Sequence, residues 1–146
     1  MLVIRQSQLQ CFAAARRDAY MDALMAYLRA QFHAELWSLN QEELRHHVET
    51  ALRHAANFGI VGERNCRRYL NLAVWYGWDF HARAETAWMR NVLGPDQPGT
   101  PESRLHHLVS RCIRRAEIAE RNFRLGRARH AEGGASAYPE LRLLKE

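Results

Sequence analysis

The stretch that decides the fold is residues 40–59, NQEELRHHVETALRHAANFG. Asn40 followed three residues later by Glu43 is the pattern of a helix capping box. Apolar side chains then recur at the three- and four-residue spacing of an α-helix, at Leu44, Val48, Ala51, Leu52, Ala55 and Phe58. Gly59 follows the last apolar residue of this pattern. The residue just after a helix often has a left-handed backbone conformation and is then usually glycine. The stretch therefore predicts an amphipathic helix with one buried face.

Helical spacing continues on both sides of this stretch, and the alternation typical of β-strands is missing. Further helices are predicted over residues 8–32, 63–76 and 83–93, and a last one begins at Thr100-Pro101, a cap followed by proline at its preferred first position. The apolar face of the first helix is predicted to contain Leu9, Phe12, Ala13, Tyr20, Leu24, Tyr27 and Leu28. The predicted fold class is all-α, a single-domain bundle of about five helices with a flexible C-terminal tail.

The last helix is predicted to leave the bundle near Leu125-Gly126. At about 100° per residue, Arg127 falls in the middle of the apolar face, so packing should end just before it. The chain beyond contains Gly133-Gly134, which is typical of a mobile segment. We therefore predict a helical bundle domain over residues 1–126 and a flexible basic arm over residues 127–146.

The composition is that of a globular protein, with 47% hydrophobic and 25% charged residues in a chain of 146. The apolar start is interrupted at Arg5, and no apolar run reaches the roughly 18 residues of a membrane helix. The three cysteines, Cys11, Cys66 and Cys112, are widely spaced and odd in number, which indicates reduced thiols. These features predict a cytoplasmic protein with no membrane partner, and they leave the oligomeric state open.

The eight histidines do not form a recognisable metal motif. His47 and His54 share one edge of the predicted helix, but seven residues separate them by about 10 Å. No HExxH, CxxC or GxSxG motif and no Gly-rich phosphate loop occurs. We therefore predict no metal, no cofactor and no catalytic residue, hence a protein that is not an enzyme. An enzyme built from residues scattered along the chain stays the alternative.

Two groups of residues have the composition of a binding surface. Trp75 projects opposite the apolar face of its helix, in line with Arg64, Arg68 and Asn71, and a Trp flanked by Arg is typical of an interface hot spot. The alternative is that this helix is covered on both sides. The second group lies on the last helix and consists of Arg111, Arg114, Arg115 and Ile118.

The arginines of the last helix also raise the alternative of a nucleic-acid-binding regulator. Most of the net charge of +5 lies after residue 110, where eight Arg and Lys145 face five Glu. Two glutamates are placed to pair with arginines four residues later, Glu117 with Arg121 and Glu120 with Arg124, which partly neutralises the helix. Ile118 sits among the arginines and favours a protein contact.

A family resemblance rests on Phe58-Gly59-Ile60, Glu63-Arg64, Tyr69-Leu70-Asn71-Leu72 and Gly77-Trp78-Asp79-Phe80, followed by Trp88 and Leu93. Over residues 1–95 the chain resembles small helical proteins of unassigned function encoded beside type VI secretion effectors and their spike or chaperone genes in proteobacteria. It departs from their pattern with Phe58 for tyrosine and with His81 where an acid often follows.

The resemblance implies an accessory role, as a co-chaperone, adaptor or immunity-type partner of a secreted toxin, its loading chaperone or a spike component. It carries no catalytic residues over to this chain. Taken with the residues above, it predicts a protein-binding accessory factor, with the basic regulator as the alternative function.

Overall fold

The computed structural model describes residues 6–129, apart from the side chains of Ser7, Leu9, Phe12 and Arg129. Within this range the chain is built from helices alone, which confirms the predicted all-α class. The helices are α1 (Gln6–Gln31), α2 (His33–Leu36), α3 (Gln41–Asn57), α4 (Glu63–Tyr76), α5 (Ala87–Leu93) and α6 (Pro101–Arg129). Among the described residues, no helix is long and apolar enough to cross a membrane.

The chain divides into two compact units, Met1–Thr50 and Ala51–Glu146, and α3 contains the boundary between them. The predicted bundle of residues 1–126 thus contains residues of both units. The predicted arm over residues 127–146 lies outside the described residues except for its first three positions, which continue α6.

Unit 1 contains α1 and α2 and the first part of α3. The single turn of α2 was not predicted, because the sequence pattern places the end of the first helix at Phe32. Arg29 holds the chain after α2 by donating to the carbonyl oxygens of Leu36, at 3.2 Å, and Leu39, at 2.9 Å. The core of this unit is formed by Met21, Leu24, Met25, Leu28, Phe32, Leu36, Leu44 and Val48.

The predicted apolar face of α1 is wrong at Ala13, and its members Leu9 and Phe12 have side chains outside the described part of the structure. Ala13 is exposed, as are its described neighbours from Cys11 to Ala19, and burial among the described side chains begins at Met21. The alanines among these residues offer little apolar area to bury, so helical spacing alone did not indicate burial there.

The capping box predicted at the start of α3 is confirmed. The backbone N–H of Glu43 donates to Asn40 Oδ1 at 2.8 Å, and the backbone N–H of Asn40 donates to Glu43 Oε2 at 2.9 Å. Gly59 follows the helix at φ +79, the left-handed conformation expected of a closing glycine. Arg45 connects α3 to α1 through a 2.6 Å ion pair with Asp18.

Unit 2 is organised around α6, which packs against both α4 and α5. Its largest buried side chain is Tyr69 of α4, whose ring centroid lies 5.1 Å from that of Phe80 and 6.4 Å from that of Phe58. The buried side chains of α6 are Leu105, Leu108, Val109, Cys112 and Ala116. Thr100 caps the helix as predicted, since its Oγ1 accepts from the Ser103 backbone N–H at 3.1 Å.

Two predicted helix ends differ from the structure. α5 begins at Ala87 and not at residue 83, because Arg83 turns back to donate to the Tyr76 carbonyl oxygen and Thr86 donates to that of Phe80. α6 continues through Gly126 to Arg129, while its last buried side chain is Ala116. The helix thus extends beyond its packed part, whereas the helix and its packing were predicted to end together near Leu125-Gly126.

Candidate functional site

The arginines predicted on the last helix meet a tryptophan of α5. The guanidinium carbons of Arg115 and Arg111 lie 4.4 and 5.2 Å from the ring centroid of half-buried Trp88. An arginine within about 6 Å of an indole ring is attracted to its face by roughly 0.5–1 kcal/mol at exposed sites. Trp88 therefore holds two arginine side chains that would otherwise be mobile, and it keeps their charges at the surface.

These arginines belong to one exposed face of α6. Ile118 and Leu125 are seven residues apart, so they point in directions only about 20° different. Their side chains are 48% and 55% exposed. We call this surface the α6 basic face, and it consists of Arg111, Arg114, Arg115, Ile118, Arg121 and Leu125.

The carboxylates of α6 lie to the side of this face or behind it. Glu117 is turned about 100° and Glu120 about 160° away from Ile118. Of the two predicted pairs, Glu120 and Arg124 form an ion pair at 2.6 Å. Glu120 therefore neutralises Arg124 outside the α6 basic face, whereas Glu117 lies at the edge of the face and lines one recess with Arg121 and Leu125.

The predicted stripe of Arg64, Arg68 and Trp75 is interrupted. Asn71, which was placed in line with Trp75, is only 4% exposed, and the five consecutive residues from Tyr69 to Ala73 are all buried. Five residues exceed one helical turn, so α4 is covered all round at this level. Arg64, which is exposed, precedes these buried residues, and Trp75, which is half-buried, follows them. Their assignment to partner binding stays a prediction.

The cysteines differ from one another in their surroundings. Cys112 is buried beside Tyr76, and burial raises the pKa of its thiol to about 11. A thiol with a raised pKa holds little thiolate near neutral pH and is a poor nucleophile. Cys66 is half-buried, and Cys11 is exposed.

A histidine pair was missed by sequence reasoning. His54 of α3 stacks on His81, with ring centroids 3.7 Å apart, and His81 Nδ1 is buried without a hydrogen-bond partner. The spacing of histidines in the sequence could not reveal the pair, because the turn after α4 brings His81 back to α3. In the part of the chain that the structure describes, no three His, Cys, Asp or Glu side chains are grouped to hold a metal ion.

The histidine pair predicts a loss of stability in mild acid. Burial lowers the pKa of His81, helped by the positive charges of His54 and Arg90 and opposed by Asp79. Below the ordinary histidine pKa of about 6.5, the unfolded chain therefore takes up a proton that folded His81 does not. The free energy of unfolding should fall from pH 7 towards pH 5, and less steeply in His81→Asn. Urea unfolding followed by circular dichroism measures both slopes.

The matched control for this prediction is His106→Asn, which removes an exposed histidine of α6. It should keep the wild-type slope. An unchanged slope in His81→Asn would show that other groups cause the acid sensitivity.

Comparison with protein-family models, with curated proteins and with solved structures found no match to this chain. Its function is therefore inferred from its own residues and from the resemblance stated above. Of the predicted residues, Arg111, Arg114, Arg115 and Ile118 share one exposed face, whereas Arg64, Arg68 and Trp75 do not. Trp88 completes this surface and was not predicted, because only tertiary packing brings α5 beside α6.

Proposed function

We propose that this chain is an accessory protein that binds another protein through the α6 basic face. The observation that carries the proposal is the pair Ile118 and Leu125, which leave about half of their side chains in water, two helical turns apart on one face. Burying a fully exposed isoleucine or leucine stabilises by roughly 1.5–3 kcal/mol, and about half of that gain remains for each of these half-exposed residues when a partner covers them.

The chemistry of this face defines the partner. Arg111, Arg114, Arg115 and Arg121 surround the two apolar side chains, and the carboxylate of Glu117 lies only at the edge of the face, beside Arg121. A complementary surface is acidic, with apolar recesses for Ile118 and Leu125. Arg and Trp are enriched in binding hot spots, and contact with Trp88 restricts two arginines before binding, which lowers the entropy lost on association.

The resemblance supplies the class of partner. We propose that the acidic partner is a secreted toxin of a type VI system, its loading chaperone or a spike component, and that the chain serves as co-chaperone, adaptor or immunity-type factor in the cytoplasm. Binding to a folded partner in a stoichiometric complex requires no catalytic residue from this chain.

The same face supports a second candidate function, binding of nucleic acid. The four arginines of the face can contact phosphates, and each phosphate contact makes the affinity fall more steeply as the salt concentration rises. Exposed Ile118 and Leu125 favour the protein partner, because apolar side chains contribute little to a phosphate contact.

Ile118→Asp tests the proposal. The full-length chain would be titrated by calorimetry against each purified product of the neighbouring genes and against a mixed-sequence DNA duplex. Ile118→Asp should weaken the protein complex by about 30-fold or more, because it places a carboxylate in an apolar recess of an acidic surface. Tight binding of the DNA alone, falling steeply between 50 and 200 mM salt, would favour the nucleic-acid function.

The matched control is Val61→Asp, which makes the same kind of change at an exposed apolar residue between α3 and α4. It should bind like the wild type. Equal affinity of Ile118→Asp and Val61→Asp for the partner would overturn the assignment of the α6 basic face.

A further inference from the structure

A cavity of about 370 Å³ lies where the loop after α5 meets the first turns of α6. Small-molecule sites usually have volumes of about 300–1,000 Å³, so this one has room for a small ligand. Val92 and Pro98 give it an apolar part. The remaining lining residues are polar or charged, namely Gln97, Ser103, Arg104, His107 and Arg111.

The charges of this cavity are all of one sign. Arg104, His107 and Arg111 lie three and four residues apart on α6 and therefore line one side of the cavity. The described lining contains no carboxylate to balance them. The two guanidinium groups make the electrostatic potential of this cavity positive, which favours an anion bound there.

Arg104 is fixed in place and has a donor to spare. Its Nη1 donates to the Gly99 carbonyl oxygen at 2.9 Å and lies 3.4 Å from that of Gln97. Its Nε is buried and has no hydrogen-bond partner among the described residues. A buried guanidinium N–H without an acceptor costs free energy, and a small shift of the Arg104 side chain toward a bound oxygen atom would recover it.

We infer that this cavity is a binding site for a small ligand that carries a phosphate or carboxylate group. Arg104 and Arg111 would hold the anionic oxygens through charge-assisted hydrogen bonds, and His107 would donate to them when protonated. Val92 and Pro98 would contact a short apolar part of the ligand. The inference goes beyond the proposed function, since it concerns a free small molecule, although Arg111 belongs to both surfaces.

Calorimetric titration of the full chain with inorganic phosphate, with citrate and with chloride, at constant ionic strength, tests this inference. Phosphate or citrate should bind saturably with one site per chain, and chloride should not. Saturation by phosphate alone assigns a phosphate ligand, and saturation by citrate alone assigns a carboxylate ligand. Absence of saturation by both overturns the inference.

Variants locate the site. His107→Gln and Arg111→Gln should each weaken binding of the anion by about tenfold, the loss of one charged hydrogen bond. The matched control, Arg114→Gln, removes the same charge from exposed α6 outside the cavity and should change affinity less than twofold. Equal weakening by Arg111→Gln and Arg114→Gln would show general attraction to a basic helix and would overturn the site.

Two further variants separate this inference from the proposed function. Ile118→Asp should bind the anion like the wild type while losing the protein partner. His107→Gln should bind the anion about tenfold more weakly while keeping the protein partner. Loss of both kinds of binding in each variant would mean that the cavity is part of the protein-binding surface and not a separate small-molecule site.

Discussion

Replacement of Tyr69 by alanine should lower the free energy of unfolding by about 3–5 kcal/mol, the range for removing a large aromatic ring from a core. Tyr69 is only 1% exposed and its ring contacts Phe80 and Phe58 in unit 2. The loss of stability has two parts, the lost burial of the ring's apolar area and the cost of the cavity that remains. The cavity remains because the neighbours of Tyr69 come from separate elements and cannot close together fully. Urea unfolding followed by tryptophan fluorescence measures the change.

Two variants define the cause of this loss. Tyr69→Phe keeps the ring and should retain most of the stability. Arg68→Ala, at the preceding half-buried position of α4, should change stability by less than about 1 kcal/mol, since alanine is the better helix former. A loss below 1 kcal/mol in Tyr69→Ala would contradict the placement of this ring at the centre of unit 2.

Replacement of Gly77 by alanine has the second largest expected effect, a loss of about 1–3 kcal/mol. Gly77 ends α4 at φ +116 and ψ 144, a region essentially restricted to glycine. An added Cβ would also stand 2.7 Å from Arg83 Nη2, and that guanidinium is held in place by the Tyr76 carbonyl oxygen and by Asp79 at 3.1 Å. Chemical unfolding of the purified variant measures the loss.

Gly126→Ala is the matched control, because it makes the same substitution inside a helix. Gly126 lies in α6, and an added Cβ would meet nothing within 4 Å. Alanine there should favour the local helix by roughly 0.5–1 kcal/mol and should cause no loss in the free energy of unfolding. A loss at Gly77 without a loss at Gly126 would establish that backbone conformation and the Arg83 contact cause it, and equal losses would refute this.

The helices were predictable because their signals are local. Each signal acts within one turn of chain, as do the capping box at Asn40, the glycines that follow α3 and α4, and Thr100-Pro101 before α6. The bounds of α4 agree with the prediction. The start of α5 was not predictable in this way. It depends on Arg83 and Thr86 donating to carbonyl oxygens six or seven residues earlier, which competes with the helical pattern.

The candidate site was predictable only in part, for the same reason. A helical projection placed Arg111, Arg114, Arg115 and Ile118 on one face, because they share a single helix. It placed Asn71 at the surface, and polar character alone could not reveal that α4 is covered there. The contacts of Trp88 with α6 and of His54 with His81 join separate elements, and no spacing within the sequence encodes them.

The long end of α6 has a thermodynamic consequence. Residues 117–129 form about 20 Å of helix in which no described side chain is buried, so their backbone hydrogen bonds depend on local helix stability. Such a segment opens and closes without unfolding of the core, and its amide hydrogens exchange with solvent sooner than those around Leu108. A ligand that covers this segment would slow the exchange. Its binding would also have to offset the conformational entropy lost when the last three turns are ordered.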